Sequence, residues 1–186
     1  MTDSQTILVA QTDYFVLFVD DDVDTLNQLE KLFSRENYSV KFASSGTEAL
    51  KLLKYLDNVA VIVSDQNMPV MEGSEFLKLS REIVPEAIRI LVTAHSDVKA
   101  AIAAINDGGI SRYISKPIDA VALLQTVRDN VRNYALSMEN LRQQEIINAQ
   151  NQQLLELNNK IRESVRLQTG KIRAKLSEMQ ELSIRK

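Results

Sequence analysis

Two short runs of unbroken apolar residues stand out along the chain, Tyr14–Val19 (YFVLFV) and Val59–Ser64 (VAVIVS). Runs of that length without polar alternation fit strands buried on both faces. Each stops at aspartate, the first at Asp20-Asp21-Asp22 and the second at Asp65. Between them, Leu26, Leu29, Leu32 and Phe33 recur at helical spacing, and Ser39–Ala43 reads as a strand. Gly46-Thr47 opens the next helix, with Thr47 placed to cap it and Ala49, Leu50, Leu53 and Leu56 on its apolar side. A turn-rich loop holding Pro69 and Gly73 precedes a helix over Ser74–Val84, which Pro85 ends. Arg89–Thr93 (RILVT) is a strand, and Asp97–Asn106 is a helix closed by Asp107-Gly108-Gly109. Ser111–Ser115 is a short strand before Lys116-Pro117, and Asp119 caps the last helix. Five strand–helix alternations predict an α/β fold: a doubly wound, five-stranded parallel sheet with helices on both faces.

The last helix does not stop where such a domain should end. Leu124, Val127, Val131, Tyr134, Met138 and Leu141 step by three and four. A second heptad frame follows, with Ile147, Leu154, Ile161 and Leu182 at d and Asn151, Asn158, Val165, Ile172 and Met179 at a. The frames do not join in register, which places a stutter or local adjustment within Gln143–Gln153. Gln168 and Lys175 weaken the d positions, and a frame through Leu157 is also open. Asn at two a positions favours a parallel homodimer, through residues 124–182. The competing picture is one amphipathic helix packed on the domain, but the stripe is too long for that. If helical throughout, residues 119–184 would extend roughly 100 Å. Gly170 is the interior weak point, worth about 1 kcal/mol against Ala.

Composition sharpens this division. All five Phe and five Tyr lie at or before Tyr134, and all three Pro at or before Pro117. Residues 1–133 carry 13 Lys+Arg against 19 Asp+Glu; residues 134–186 carry 9 against 6. We therefore read 1–12 as a flexible arm, 13–133 as the globular domain, and 134–186 as a coiled-coil helix continuous with it. Zero Cys excludes disulfides, thiolate zinc sites and cysteine nucleophiles, and the one His, His95, argues against a His-based metal site or triad. No apolar run approaches the roughly 18–20 residues of a membrane span, and MTDSQTILVAQTD does not read as a signal peptide. A cytoplasmic protein without membrane contact is expected. From Lys160 onward eight Lys+Arg face three Glu, but no aromatic or recognition motif interleaves them. A solvated helix face explains this better than nucleic-acid binding.

Ligands of doubly wound sheets bind beyond the carboxyl ends of the strands. Those ends carry Asp20, Asp21, Asp22, Asp65 and Thr93, with Lys116 after the last strand. Each has an ordinary reading alone: a turn, a loop carboxylate, a helix cap. Together, with the first strand beside the third, Asp20, Asp21 and Asp65 converge. Crowded carboxylates repel unless a cation intervenes, and Mg²⁺ suits a small carboxylate site that keeps waters. Carboxylates, a metal, a lysine and a hydroxyl suit a phosphoryl group, whose transfer needs positioning and charge neutralisation.

VLFVDDD, VIVSDQNMPVMEG, RILVTA and YISKPI together resemble the response-regulator receiver domain of two-component signalling, over about residues 13–133. The resemblance implies a flavodoxin-like sheet of order 2-1-3-4-5. It implies Asp65 as phosphoacceptor from a sensor histidine kinase or phosphotransfer protein. Asp21, Asp65 and the Asn67 backbone carbonyl would ligate Mg²⁺, and Asp20 would act mainly through water. Lys116 and Thr93 would contact the phosphoryl oxygens, Tyr113 would swing as Thr93 moves, and the Lys116-Pro117 bond would be cis. Asn67 and His95 occupy positions that tune rates in this family. The switched face would span roughly residues 94–118 and pass its change to an output effector that the sequence does not name. Two other readings compete. One is a constitutive coiled-coil scaffold with a silent receiver. The other is a phosphatase of the haloacid-dehalogenase type, whose Asp-x-Asp-x-Thr/Val signature fails here, since Asp20-x-Asp22 is followed by Asp24. The expected module is not a turnover enzyme.

Overall fold

A computed structural model describes residues 14–94 and 110–184. The strands are β1 (Phe15–Val19), β2 (Ser39–Ala43), β3 (Val59–Asp65), β4 (Ile88–Thr93) and β5 (Arg112–Ser115). The helices are α1 (Val23–Phe33), α2 (Gly46–Leu53), α3 (Gly73–Ile83) and α4 (Ala120–Ile184). All strand pairings are parallel, in the order β2-β1-β3-β4-β5. This is the doubly wound sheet that the alternation of runs predicts. The helix expected over Asp97–Asn106 and its Asp107-Gly108-Gly109 end lie outside the described residues.

Burial follows sequence order closely. Every residue of β3 is buried, as its unbroken apolar run requires, whereas β5 is partly exposed along its length. Leu17, Ile62 and Leu91 from three central strands meet Phe76 and Leu77 of α3 in one core. Asp22 caps α1, its carboxylate accepting from the Asp24 N–H. The cap of α2 is Ser45, not Thr47: the Ser45 side chain accepts from the Glu48 N–H, while Glu48 reaches back to the Ser44 N–H at 2.7 Å. A Ser with Glu three positions on resembles a capping box, except that Glu48 accepts from the residue before the cap, Ser44, rather than from Ser45 itself.

Arg89 ties down the turn that follows α3. It is buried, and among the described residues no carboxylate forms an ion pair with it. Its guanidinium donates to the Ala87 carbonyl at 2.6 Å, to Pro85 and Val84 carbonyls, and through Nε to Ser80 Oγ at 3.0 Å. Burial, with Arg81 nearby, pushes its pKa down to about 10. Replacing it with Met strands the buried Ala87 carbonyl and removes the Ser80, Val84 and Pro85 bonds, so Arg89→Met is expected to cost about 2–4 kcal/mol, read as a lowered urea midpoint at unchanged slope.

The chain divides into two units between Ser137 and Met138. In the first, α4 contributes Leu123, Val127, Val131 and Tyr134 to the buried interior. Asp119 caps this helix, accepting from the Val121 and Ala122 N–H groups. The inward stripe begins at Leu123 rather than Leu124, which is only partly buried. These side chains are spent on the domain's own core, so a seam between chains cannot begin at 124 as the stepping pattern implied. Arg128 further ties the helix down through a two-pronged pair with Glu36, at 2.7 and 2.9 Å. Residues 138–184 form the second unit, helical, with its large apolar side chains from Leu141 to Met179 exposed.

Candidate functional site

Strand ends carry the chemistry. Asp20 follows β1 and is buried, with Oδ1 accepting from the Asp22 N–H at 2.9 Å. Asp21 beside it is exposed. Asp65 closes β3 and is only 6% exposed, because the preceding strand is buried on both sides. Its Oδ2 accepts from the Asn67 N–H at 2.9 Å, and its Oδ1 meets Lys116 Nζ at 2.7 Å. Lys116 reaches it from beyond β5, where the Lys116-Pro117 peptide bond is cis. The Lys116 N–H donates to the Thr93 carbonyl at 2.8 Å, so β4 anchors the lysine backbone while β3 holds its head. Thr93 is fully buried, its hydroxyl 3.4 Å from the Ala94 carbonyl. Tyr113 lies partly buried against the core, and His95 falls outside the described residues.

Among the described residues, electrostatics at this end of the sheet is that of an anionic cluster with Lys116 as its cation. Burial pushes the Asp20 carboxyl above the usual aspartate range, the Asp22 N–H opposes this, and the Asp65 charge adds to it. Burial works against the Lys116 ammonium, but its bond to Asp65 and the charges of Asp65, Asp20 and Asp21 hold its pKa above the ordinary lysine value. Asp20, Asp21, Asp65 and Lys116 thus act on one another electrically. Among the described residues no three acidic or imidazole groups form a ready metal cage. An ion here would need a backbone carbonyl and waters to complete its shell. An all-oxygen, anionic and incomplete donor set fits Mg²⁺, which keeps several waters, better than a metal demanding a full protein cage.

Three residues support the site in roles that sequence spacing does not announce. Gln66 is buried directly after Asp65, its amide bridging Glu72 Oε2 at 3.1 Å and the Ser74 N–H at 3.2 Å. The Gln66 carbonyl accepts from the Gly73 N–H at 3.0 Å. Ser64 Oγ donates to the Asp65 carbonyl at 2.9 Å. Gly73 starts α3 so close to that carbonyl that an added Cβ would sit 1.9 Å from its oxygen. Val70 in the same loop has φ of 70°, a strained value for a β-branched residue, and is 99% exposed.

The family model for the response regulator receiver domain matches residues 16–128. The chain belongs to this family. The receiver is 36% identical over 124 residues to the hydrogenase transcriptional regulatory protein HoxA of Bradyrhizobium diazoefficiens, a match covering 67% of this chain and 25% of that protein. The chain thus spans about a quarter of the length of the curated relatives it matches. Among solved structures, adenylate cyclase from Rhodopirellula baltica superposes at a TM-score of 0.65 with 32% identity, covering 68% of this chain and 93% of that one. The signal receiver domain of an HD domain-containing protein from Pseudomonas fluorescens superposes at 0.63 with 34% identity, covering 68% and 93%. Receiver domains are signalling modules that interact with histidine kinases or phosphotransfer proteins, and they generally bind Mg²⁺ at the phosphorylation site. No helix of the described residues is long and apolar enough to cross a membrane.

Proposed function

We propose that this chain is a phosphorylation-switched response regulator of the cytoplasm, with Asp65 as its phosphoacceptor. The observation that carries the reading is the buried Asp65 carboxylate, held by the Asn67 N–H and paired with Lys116 at 2.7 Å, beside a second buried carboxylate, Asp20. Asp65 oxygen attacks phosphorus while the P–N bond of a partner's phosphohistidine breaks. That bond's electron pair stays on the imidazole nitrogen, which takes a proton from water. Lys116 moves from the free carboxylate to the new phosphoryl oxygens. Thr93, buried at the end of β4, turns its hydroxyl toward them, and Tyr113 follows. Asp20, Asp21, Asp65 and the Asn67 carbonyl would hold Mg²⁺. That ion would offset the charge that the carboxylates and phosphoryl group bring together. Asn67 and His95 tune the rates of phosphorylation and hydrolysis.

The acyl phosphate adds a dianionic group with several acceptor oxygens and biases the face around residues 94–118. A dimeric tail, joined through residues 138–182, carries the change to an output. The module acts by changing state, not by turning over an external substrate.

Incubation with acetyl phosphate and Mg²⁺ is expected to add the mass of one phosphoryl group to the chain, and EDTA to prevent it. No mass gain with Mg²⁺ present would reject the reading in favour of a silent receiver on a constitutive scaffold. A gain indifferent to EDTA would reject the metal.

A further inference from the structure

The second unit exposes more apolar surface than a heptad seam can use. Heptad positions a and d take in Ile147, Leu154, Ile161, Val165, Ile172 and Met179. They leave out Ile146, Leu157 and Leu176, each at least half exposed. An eleven-residue repeat takes in all nine. Leu154, Val165 and Leu176 share one position of it. Ile161 and Ile172 share a second, Ile146, Leu157 and Met179 a third that Gln168 interrupts, and Ile147 begins a fourth that continues through Asn158 and Thr169. Between residues 146 and 179, Leu155 and Leu167 fall outside it, as does Leu141 before them. Eleven residues in three turns is about 3.67 per turn, so the stripe runs nearly straight, drifting slightly to the right-handed side.

Asn158 identifies what covers this stripe. It sits between Leu154 and Ile161, and among the described residues its carboxamide has no partner in the chain. Thr169, at the same repeat position, donates its hydroxyl to the Val165 carbonyl at 2.8 Å and so needs no partner from outside. An unrelated apolar surface laid over Asn158 would strand its donors and acceptor. A second copy aligned in register gives it an identical carboxamide. Orientation follows from the neighbours. Reversing one helix about Asn158 would set Leu154 against Arg162, Val165 against Asn151 and Ile172 against Gln144. Parallel alignment sets each apolar residue against its own kind.

We propose that residues 146–179 pair in parallel and in register with a second copy of this chain through the eleven-residue repeat. This rests on the dimer proposed above and specifies its seam. The pairing lays two segments from Lys160 to Lys175 side by side, each with six basic residues against one acidic. Added salt therefore tightens the dimer.

The chain has no Cys, so single cysteines report contacts cleanly. In the full chain, Leu157→Cys and Leu176→Cys are expected to form disulfide-linked dimers about ten times faster than Asn151→Cys and Lys175→Cys, because only the first pair face the seam. The reverse order, in chains that sediment as dimers, would overturn the eleven-residue repeat and leave a heptad dimer standing. Sedimentation of the unmodified chain as a monomer at tens of micromolar would overturn the dimer itself. Dimers that crosslink at none of the four positions would overturn the parallel seam. A dimer loosened by salt would overturn the proposed alignment of the basic segments.

Discussion

Replacing Asp65 with Asn is expected to abolish labelling by acetyl phosphate while leaving the fold intact. A carboxamide has the shape of the carboxylate but is not a nucleophile, so labelling should fall by about 10³-fold or more. The variant can still accept from the Asn67 N–H. Two electrostatic changes oppose each other. Lys116 loses an anionic partner, and Asp20 loses a charge that pushes its own carboxyl up. Lys116 is 42% exposed, so water screens much of the lost attraction. Stability should therefore change by less than about 1 kcal/mol. Urea unfolding and intact-mass labelling of the same preparation separate the two effects. Full labelling of Asp65→Asn would place the acceptor elsewhere.

Gly73→Ala is expected to do the opposite, damaging fold and site together. The new Cβ would lie 1.9 Å from the Asp65 carbonyl oxygen, 2.8 Å from its carbon and 3.0 Å from Ser64 Oγ. Two of these are backbone atoms of a fully buried strand, which cannot rotate away as a side-chain tip could. Overpacking against such a wall should cost about 3 kcal/mol or more. The fraction that still folds must displace either the end of β3 or the start of α3, and so should label more slowly than the wild type. A lowered urea midpoint together with slowed labelling is the expected pair of results. Unchanged values of both would mean that the α3 start is far more yielding than its packing indicates.

The sheet was legible because β1 and β3 have little else they could be: unbroken apolar runs closed by aspartate. The convergence of Asp20, Asp65 and Lys116 was legible for the same reason, since strand ends in a doubly wound sheet gather whatever polar residues sit there. What escaped depended on distances that spacing does not carry. Ser45 outcompetes Thr47 as a cap because Glu48 stands three residues after it, a pattern present in the sequence but overlooked for the nearer hydroxyl. Leu123 and Leu124 are adjacent and equally apolar, and only the packing of α4 on the domain selects the first. The stepping residues up to Tyr134 looked like the start of a seam because a core-facing stripe and a dimer stripe share a period. Gly73 read as a turn glycine, whereas the Asp65 carbonyl against it is the stronger constraint.

The closure of the Asp65–Gly73 loop has a consequence for how this protein can vary. Gln66 fastens both ends of that loop, through its own carbonyl to the Gly73 N–H and through its amide to Glu72 and Ser74. An added or lost residue between them would break these ties and shift the α3 start, which has no slack against β3. The turn after α2 is held differently, by short local bonds, with Tyr55 86% exposed. Length changes among descendants of this sequence should therefore collect around Tyr55, while the interval from Asp65 to Gly73 keeps its count and drifts only in side chains that point to water, such as Val70.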